Sequence, residues 1–334
     1  MVLRSVAPVE SRPLRLEEVP TPVPGLTEVL VRVDKCGVCR TDLHVVEGDL
    51  APQRPTVIPG HEIVGRVVGI GPGVRTLSVG ETVGVPWLHH TCGRCEYCTT
   101  GRENLCPEKV FTGYTVDGGY AEFTLGEEGY VFPLPAADAT RFAPFLCAGI
   151  IGYRALKVAL PRLGGRIGFF GFGGSAHLTL QLASRLGYAT VAYSRNPAHL
   201  SLAKELGAVD TILTTGSPPE SAPHLDSAVV FAPTGEVVLT ALRELKKGGT
   251  LSIAAIHMSP IPEIDYDRLL FGERKVVSVE ANTRADAREF LDLAHRLHLE
   301  STVHERPLAQ ANEALTDLKR GSITGAAVLD CTAV

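Results

Sequence analysis

From residue 166 onward the chain alternates short apolar runs with amphipathic ones, and this restricts its fold more than any other feature. "RIGFF" (166–170) is a buried-strand run ending in glycines. "SAHLTLQLASRLG" (175–187) carries apolar residues at helical spacing and stops on Gly187, and "ATVAYSR" (189–195) is apolar again. The helix pattern "PAHLSLAKELG", the strand pattern "DSAVVFAP", the helix pattern "GEVVLTALRELKKGG" and the strand pattern "TLSIAAI" continue the series. Alternation of this kind with short connections predicts a parallel, doubly wound α/β sheet with right-handed crossovers.

The stretch 28–145 is built differently. "EVLVRV", "IVGRVVGI" and "AEFTLG" run apolar or alternate, and Gly and Pro break them at "PGLT", "GPGV" and "DGGY". A β-rich region of short strands and loops is expected there. Beyond 284, "RADAREFLDLAHRLHL" and "LAQANEALTDLKRG" predict two amphipathic helices and "GAAVLDC" a closing strand, a tail able to return to the first domain. With 334 residues, 45% of them hydrophobic, the chain has material for two cores. The expected division puts 1–148 with 285–334 in one domain and 149–284 in the other. The net charge of -5, with Lys and Arg scattered, gives no phosphate-tracking stripe, so nucleic acid is excluded as a partner. No run of about eighteen apolar residues marks a membrane span. "MVLRSVAPVESRPLRLEEVP" has no secretory apolar core, so the expected location is cytoplasmic.

After "RIGFF" comes "GFGGSAH", which sets Gly171, Gly173 and Ala176 in a G-x-G-x-x-A pattern with Gly174 and Ser175 between them. Gly171 permits a tight turn, Gly173 lets the backbone approach a pyrophosphate, and Ala176 lets helix and strand pack closely. The helix N-terminus then faces negative phosphate. Glycines so spaced also occur in ordinary turns; their place in a strand-turn-helix-strand unit favours dinucleotide binding. At the end of the second strand, where an acidic residue would accept the ribose hydroxyls of NAD, stand Ser194 and Arg195. A hydroxyl and a guanidinium suit a 2′-phosphate, so NADP is favoured over NAD. The competing reading makes Arg195 a solvated strand-end residue.

Eight cysteines bear on metals rather than disulfides in a reducing compartment. "CGRCEYCTTGRENLC" (92–106) places Cys92, Cys95, Cys98 and Cys106 so that they can wrap one Zn²⁺ tetrahedrally with no vacancy. Such a site is structural and lends folding free energy to a loop with little core. An iron–sulfur cluster or plain buried cysteines are the alternatives. A second set is dispersed: Cys39 in "DKCGVCRTDLH", His61 and Glu62 in "PGHEIVG", and Cys147 in "PFLCAGI". Two thiolates and an imidazole make a three-ligand zinc site with an open fourth position. Taken singly, each of these residues also has a plain structural reading.

"GHEIVGRVVGIGPGV" resembles, throughout its length, the G-H-E-x-x-G signature of the zinc-containing alcohol dehydrogenases of the medium-chain dehydrogenase/reductase superfamily. "CGVCRTDLH", the four-cysteine lobe and "GFGGSAH" follow in that family's order, so the resemblance covers essentially the whole chain. Its length and Trp87-to-Cys92 spacing look like the shorter bacterial members. The resemblance implies a GroES-like β-rich catalytic domain carrying the lobe, plus a Rossmann domain. Carried over position by position, it implies Cys39, His61 and Cys147 as catalytic zinc ligands, Glu62 as a carboxylate able to approach the metal, and Asp42 as the group that orients His61. It further implies Thr41 and His44 as a proton relay and Trp87 as an aromatic wall of the substrate pocket. Cys36 and Cys331 match no ligand position. Two zinc ions per chain are expected, as is a homo-oligomer, because relatives pair through the cofactor domain and an edge strand such as "KVVSVE" can pair across a two-fold axis.

The implied reaction is reversible hydride transfer between a primary or simple alcohol and NAD(P), with zinc stabilising the alkoxide. The proton leaves through the Thr41 hydroxyl, a cofactor ribose hydroxyl and His44 near the surface. A surface histidine with no catalytic role is the competing reading of His44. In "TGAAVL", Ala326 stands where many relatives have an Arg that meets the pyrophosphate, which leaves more to the glycine turn. A pocket built with Trp87, Leu88 and "AAIHM" is mainly apolar and leans toward unbranched or aromatic alcohols. The alternatives are the same site acting on a cinnamyl-type alcohol, a polyol or formaldehyde, or a noncatalytic NADP-binding sensor with one structural zinc.

Overall fold

A computed structural model describes residues 1–135, 139–215 and 224–332. Two units divide the chain. Met1–Cys147, Ala281–Arg288 and Ser301–Val334 form the first, and Ala148–Glu280 with Glu289–Glu300 form the second.

In the second unit, six parallel strands lie in the order Asp210–Leu213, Ala189–Ser194, Arg166–Phe170, Leu225–Val230, Leu245–Ile253, Lys275–Ser278. Numbered along the chain this is 3-2-1-4-5-6, the doubly wound order, with the reversal between Arg166–Phe170 and Leu225–Val230. The central strands are apolar on both faces: Ile167, Phe169, Val191, Ala228 and Val230 are all fully buried. The helix Gly174–Arg185 packs on the helix Ala148–Val158, where Gly152 leaves room for Thr179; a methyl there would stand 1.8 Å from the Thr179 hydroxyl.

The pattern "GEVVLTALRELKKGG" is helical only over Gly235–Glu244, and its last five residues enter the next strand. Leu245 is already extended, at φ -77° and ψ 130°, which ends the helix, and Lys246 reaches the Asp226 carboxylate at 3.2 Å. The helices Arg40–Glu47 and Ala148–Val158 and the strand Asp210–Leu213 have no counterpart in the sequence reading.

The first unit is built on a seven-stranded sheet. Along it run Val303–Pro307, Ala326–Asp330, Glu28–Val38, Glu62–Ile70, Thr82–Val85 and Phe132–Pro133, and Phe123–Glu127 also pairs with Glu28–Val38. The C-terminal strand joins it with Ala327 opposite Val38. A separate ribbon pairs Leu88–His90 with Val110–Phe111.

The helix Arg284–Arg296 does not fall wholly to the first unit, as a boundary at 284/285 would have it. Arg284 is held by Glu103, Nε to Oε1 at 3.2 Å, within the first unit. From Glu289 the helix belongs to the second unit: Glu289 meets Lys157 at 2.6 Å, and the Phe290 ring fills the space that Gly149 leaves open.

Candidate metal centre and dinucleotide turn

Cys39 caps the N-terminus of the helix Arg40–Glu47, and its N–H donates to Asp42 Oδ2 at 2.9 Å. Asp42 is buried and saturated. Its oxygens also accept from Gly60 N at 3.1 Å and from the Tyr120 hydroxyl at 3.2 Å, and meet His61 Nδ1 at 2.9 Å. Three segments distant in sequence are therefore tied to one carboxylate. His61 follows Gly60, whose φ of +99° turns the chain and whose missing side chain leaves space for the Tyr120 ring.

With Nδ1 taken by Asp42, the other ring nitrogen, Nε2, is buried and has no hydrogen-bond partner among the described residues. One nitrogen of His61, the sulfurs of Cys39 and Cys147 and a Glu62 oxygen all lie within 4.8 Å of one another. The two sulfurs are 3.9 Å apart. Cys147 arrives from the turn Ala143–Leu146, and Glu62 opens the strand Glu62–Ile70 rather than a helix. Gly37, directly across the sheet from Glu62, makes room for it; a methyl there would stand 1.9 Å from Oε2.

Electrostatics in the cluster describe a proton held where a cation fits. The contact with Cys147 keeps the Cys39 thiol well below its ordinary range, and the same contact, with burial, pushes Cys147 well above. Burial opposes a charged His61 ring, but Asp42 and Cys39 outweigh it and hold the ring well above 6.5. Metal ligands shed such protons on binding. A buried nitrogen without a partner beside two sulfurs is a donor set suited to zinc.

The four lobe sulfurs of Cys92, Cys95, Cys98 and Cys106 also lie within 4.8 Å of one another. Sulfur pairs stand at 3.9 Å for Cys92–Cys98 and 3.5 Å for Cys95–Cys98, and Cys92 N donates to Cys106 Sγ at 3.5 Å. Backbone N–H groups of Arg94 and Cys95 hold the Cys92 thiol at about 7, near the thiolate that a metal requires. Four cysteine sulfurs are enough to fill a tetrahedral zinc shell, so this donor set is closed. Cys36 and Cys331 are buried outside both clusters.

In the second unit, Gly171 ends the first strand at φ +87°, and a methyl there would come within 2.9 Å of Ala232 N across the strand-order reversal. Gly173 caps the helix Gly174–Arg185, and a methyl on it would meet nothing within 4 Å, so open space lies where a pyrophosphate is expected. Ala176 is fully buried at the packed face of that helix. Ser175 is drawn into the helix, its carbonyl accepting from the Thr179 hydroxyl at 2.7 Å. Ser194 is buried, and its oxygen accepts from Asn196 N at 3.1 Å. Arg195 is exposed at the strand end.

Thr41 and His44 lie three residues apart on the helix Arg40–Glu47, and both are buried. The Thr41 hydroxyl is 3.6 Å from Cys39 Sγ. His44 is not a surface residue: its side chain is 8% exposed and its Nδ1 meets Asp49 Oδ2 at 2.7 Å, and the Asp49 carboxylate is the group that reaches solvent. Trp87 is buried with its ring edge-on to His61, centroids 4.8 Å apart. Sequence reasoning missed Tyr120, Gly37, Asp49 and Phe111. "CGVCRTDLH", "PGHEIVG", "PFLCAGI" and Trp87 pointed to this neighbourhood, and nothing local named these four groups that pack around it.

A doubly wound sheet with an open glycine turn, joined to a β-rich unit bearing a buried thiol and imidazole cluster, defines the class of metal-using dehydrogenases. The family model described as the alcohol dehydrogenase GroES-like domain matches residues 25–136, and the one described as zinc-binding dehydrogenase matches residues 159–296. A probable alcohol dehydrogenase of Mycobacterium tuberculosis is 48% identical over 334 residues, covering 98% of this chain and 95% of its own. The solved cinnamyl alcohol dehydrogenase of Sorghum bicolor superposes with a TM-score of 0.90 at 26% identity, over 99% of this chain and 97% of that one. The acetophenone reductase of Geotrichum candidum in complex with NAD superposes with a TM-score of 0.87 at 27% identity, over 96% and 95%. The chain belongs to the zinc-containing alcohol dehydrogenases of the medium-chain dehydrogenase/reductase superfamily, and it is an oxidoreductase. No helix among the described residues is long and apolar enough to cross a membrane.

Proposed function

We propose that this alcohol dehydrogenase binds two zinc ions, one catalytic at Cys39, His61 and Cys147 and one structural at Cys92, Cys95, Cys98 and Cys106, and interconverts primary or simple alcohols and their aldehydes with NADP favoured over NAD. The observation that carries the reading is the buried, unpartnered Nε2 of His61 beside two sulfurs. When bound, zinc would supply the charge that makes an alcohol hydroxyl acidic, and the nicotinamide the carbon that takes up hydride.

The remaining work belongs to side chains of this chain. Asp42 holds the His61 ring in one tautomer and orientation. Glu62 stands close enough to approach the ion. Thr41 Oγ1 would take the alcohol proton as it gives up its own toward the cofactor ribose hydroxyl, and His44, whose Nδ1 meets Asp49, would carry the relayed proton toward solvent. Trp87 walls the alcohol. Stacked rings favour unbranched or aromatic chains over polyols, and this keeps a cinnamyl-type alcohol within the substrate range. Arg195 is exposed at the strand end, where the 2′-phosphate of NADP would lie. The edge strand Lys275–Ser278 is available to pair with that of a second copy, which favours a homo-oligomer.

The test combines metal analysis with initial rates on a panel of aldehydes using NADPH and NADH. The reading expects two zinc ions per chain, one in the His61→Ala variant, and a preference for NADPH that Arg195→Ala reverses. One zinc in the parent would leave only the structural site and sink the proposed catalytic zinc.

A further inference from the structure

We propose that Phe111 is a positioning residue for the substrate wall, and that closure of the four-thiol lobe keeps it in place. The proposal rests on the reading of Trp87 as that wall.

The ribbon carries the argument. Leu88–His90 pairs antiparallel with Val110–Phe111, with Leu88 opposite Phe111 and His90 opposite Val110. Thr112 N donates to Trp87 O at 2.9 Å at the base of the ribbon. One strand runs directly into Cys92, and the other leaves shortly after Cys106. The two strands are therefore the legs of the lobe, and the contact of Cys92 N with Cys106 Sγ at 3.5 Å pins them together at the far end. Two strands this short have little stability of their own, so a cross-link at one end decides whether the other end stays ordered.

At the near end three rings lie face to face. Phe111 stacks on the Trp87 indole with centroids 4.7 Å apart and planes 17° apart, and Tyr114 lies 5.9 Å from Trp87 at 18°. Tyr114 is itself anchored, its hydroxyl donating to Ala51 O at 2.7 Å. The indole then meets the His61 ring nearly at right angles, 68°, at 4.8 Å. A continuous set of contacts thus runs from the lobe through the ribbon to Phe111, to Trp87 and to the imidazole of the first cluster. Of the rings that meet the indole among the described residues, Phe111 is the nearest stacked on its face, at 4.7 Å against 5.9 Å for Tyr114, so loss of Phe111 removes the tighter of the two stacked contacts that set its tilt.

Trp87 is the single tryptophan of the chain, so its fluorescence reports the wall directly, apart from turnover. The experiment compares Phe111→Leu, Phe111→Tyr, Cys98→Ser and Trp87→Leu with the parent. It measures acrylamide quenching of the tryptophan and the KM and kcat for primary alcohols from ethanol to hexanol. The expected result for Phe111→Leu is a quenching constant roughly twofold higher and a KM for hexanol up about tenfold with kcat little changed, the size an aromatic pair can supply. Phe111→Tyr keeps both readouts at parent values, and Cys98→Ser moves both in the direction of Phe111→Leu.

If Trp87→Leu alters the alcohol preference but Phe111→Leu leaves quenching and KM at parent values, the positioning role is overturned while the wall reading stands. If Trp87→Leu leaves the preference unchanged, the wall reading fails and the proposal with it. Unchanged quenching in Cys98→Ser would remove the lobe from the series of contacts.

Discussion

Asp42 shows how much of the metal cluster hangs on one side chain. A carboxylate only accepts, and here it accepts from two backbone N–H groups and a tyrosine while holding one nitrogen of His61. An amide in its place turns at least one of these contacts into donor against donor. Asp42→Asn is therefore expected to weaken zinc binding by about 10- to 100-fold, as losses of groups that orient a ligand do, and competition with a chelator measures it. Tyr120→Phe removes only one of the donors to Asp42 and is expected to leave zinc affinity within a few-fold of the parent. His44 yields a separate prediction. With the imidazole gone in His44→Gln, alcohol oxidation at pH 7 is expected to fall by about a hundredfold, the gap narrowing as pH rises because hydroxide takes the proton instead. A pH-rate profile that matches the parent's at every pH would show that the proton leaves by another path.

Elements explain which of these residues the sequence could announce. The glycine turn was legible because Gly171, Gly173 and Ala176 act within six consecutive residues and between two apolar runs, so one local pattern contains the whole device. The helix that starts after Cys39 was not read from periodicity, since its eight residues bury Thr41, Asp42 and His44 beside Leu43 and Val46 and so blur the apolar stripe. The extension of the helix Gly235–Glu244 into "LKKGG" failed for the opposite reason: its charged residues fit a helix, and only the pairing of the extended Leu245 with Leu225 in the sheet decides otherwise. The same reasoning gives a test on the strand Glu28–Val38. Gly37 faces Glu62 across the sheet, and Ala at that position collides with the carboxylate, so Gly37→Ala is expected to cost about 1–3 kcal/mol of stability. Shortening the partner should return part of that loss. Thermal denaturation of Gly37→Ala, Glu62→Asp and the double variant checks the coupling, and strictly additive losses would mean that the two side chains do not meet.

At the scale of the whole molecule, Cys39, His61 and Cys147 stand up to 108 positions apart. Only the resemblance gathers residues so distant, whereas ring contacts such as Trp87 on Phe111 depend on tertiary packing that no motif encodes. Each of the two units also buries a histidine that chemistry keeps neutral. His177 lies fully buried in the helix after the glycine turn, and burial holds it at about 4, while in the first unit burial holds His89 at about 4 against the weaker pull of Glu28. The sign follows from linkage: both values lie below the ordinary 6.5, so the unfolded chain takes up protons first, stability is complete above about pH 6.5, and it is lost as pH falls from there toward 4. At pH 5 each ring then costs the fold about 2 kcal/mol, enough to lower the melting temperature by a few degrees. His177→Leu keeps the bulk and removes the proton site, so its melting temperature should fall less between pH 7.5 and 5 than that of the parent, with the share of His89 remaining. Melting curves of parent and variant across that range decide the matter: equal falls would place the acid sensitivity in other groups, and a smaller fall in the variant assigns it to the imidazole beneath the glycine turn.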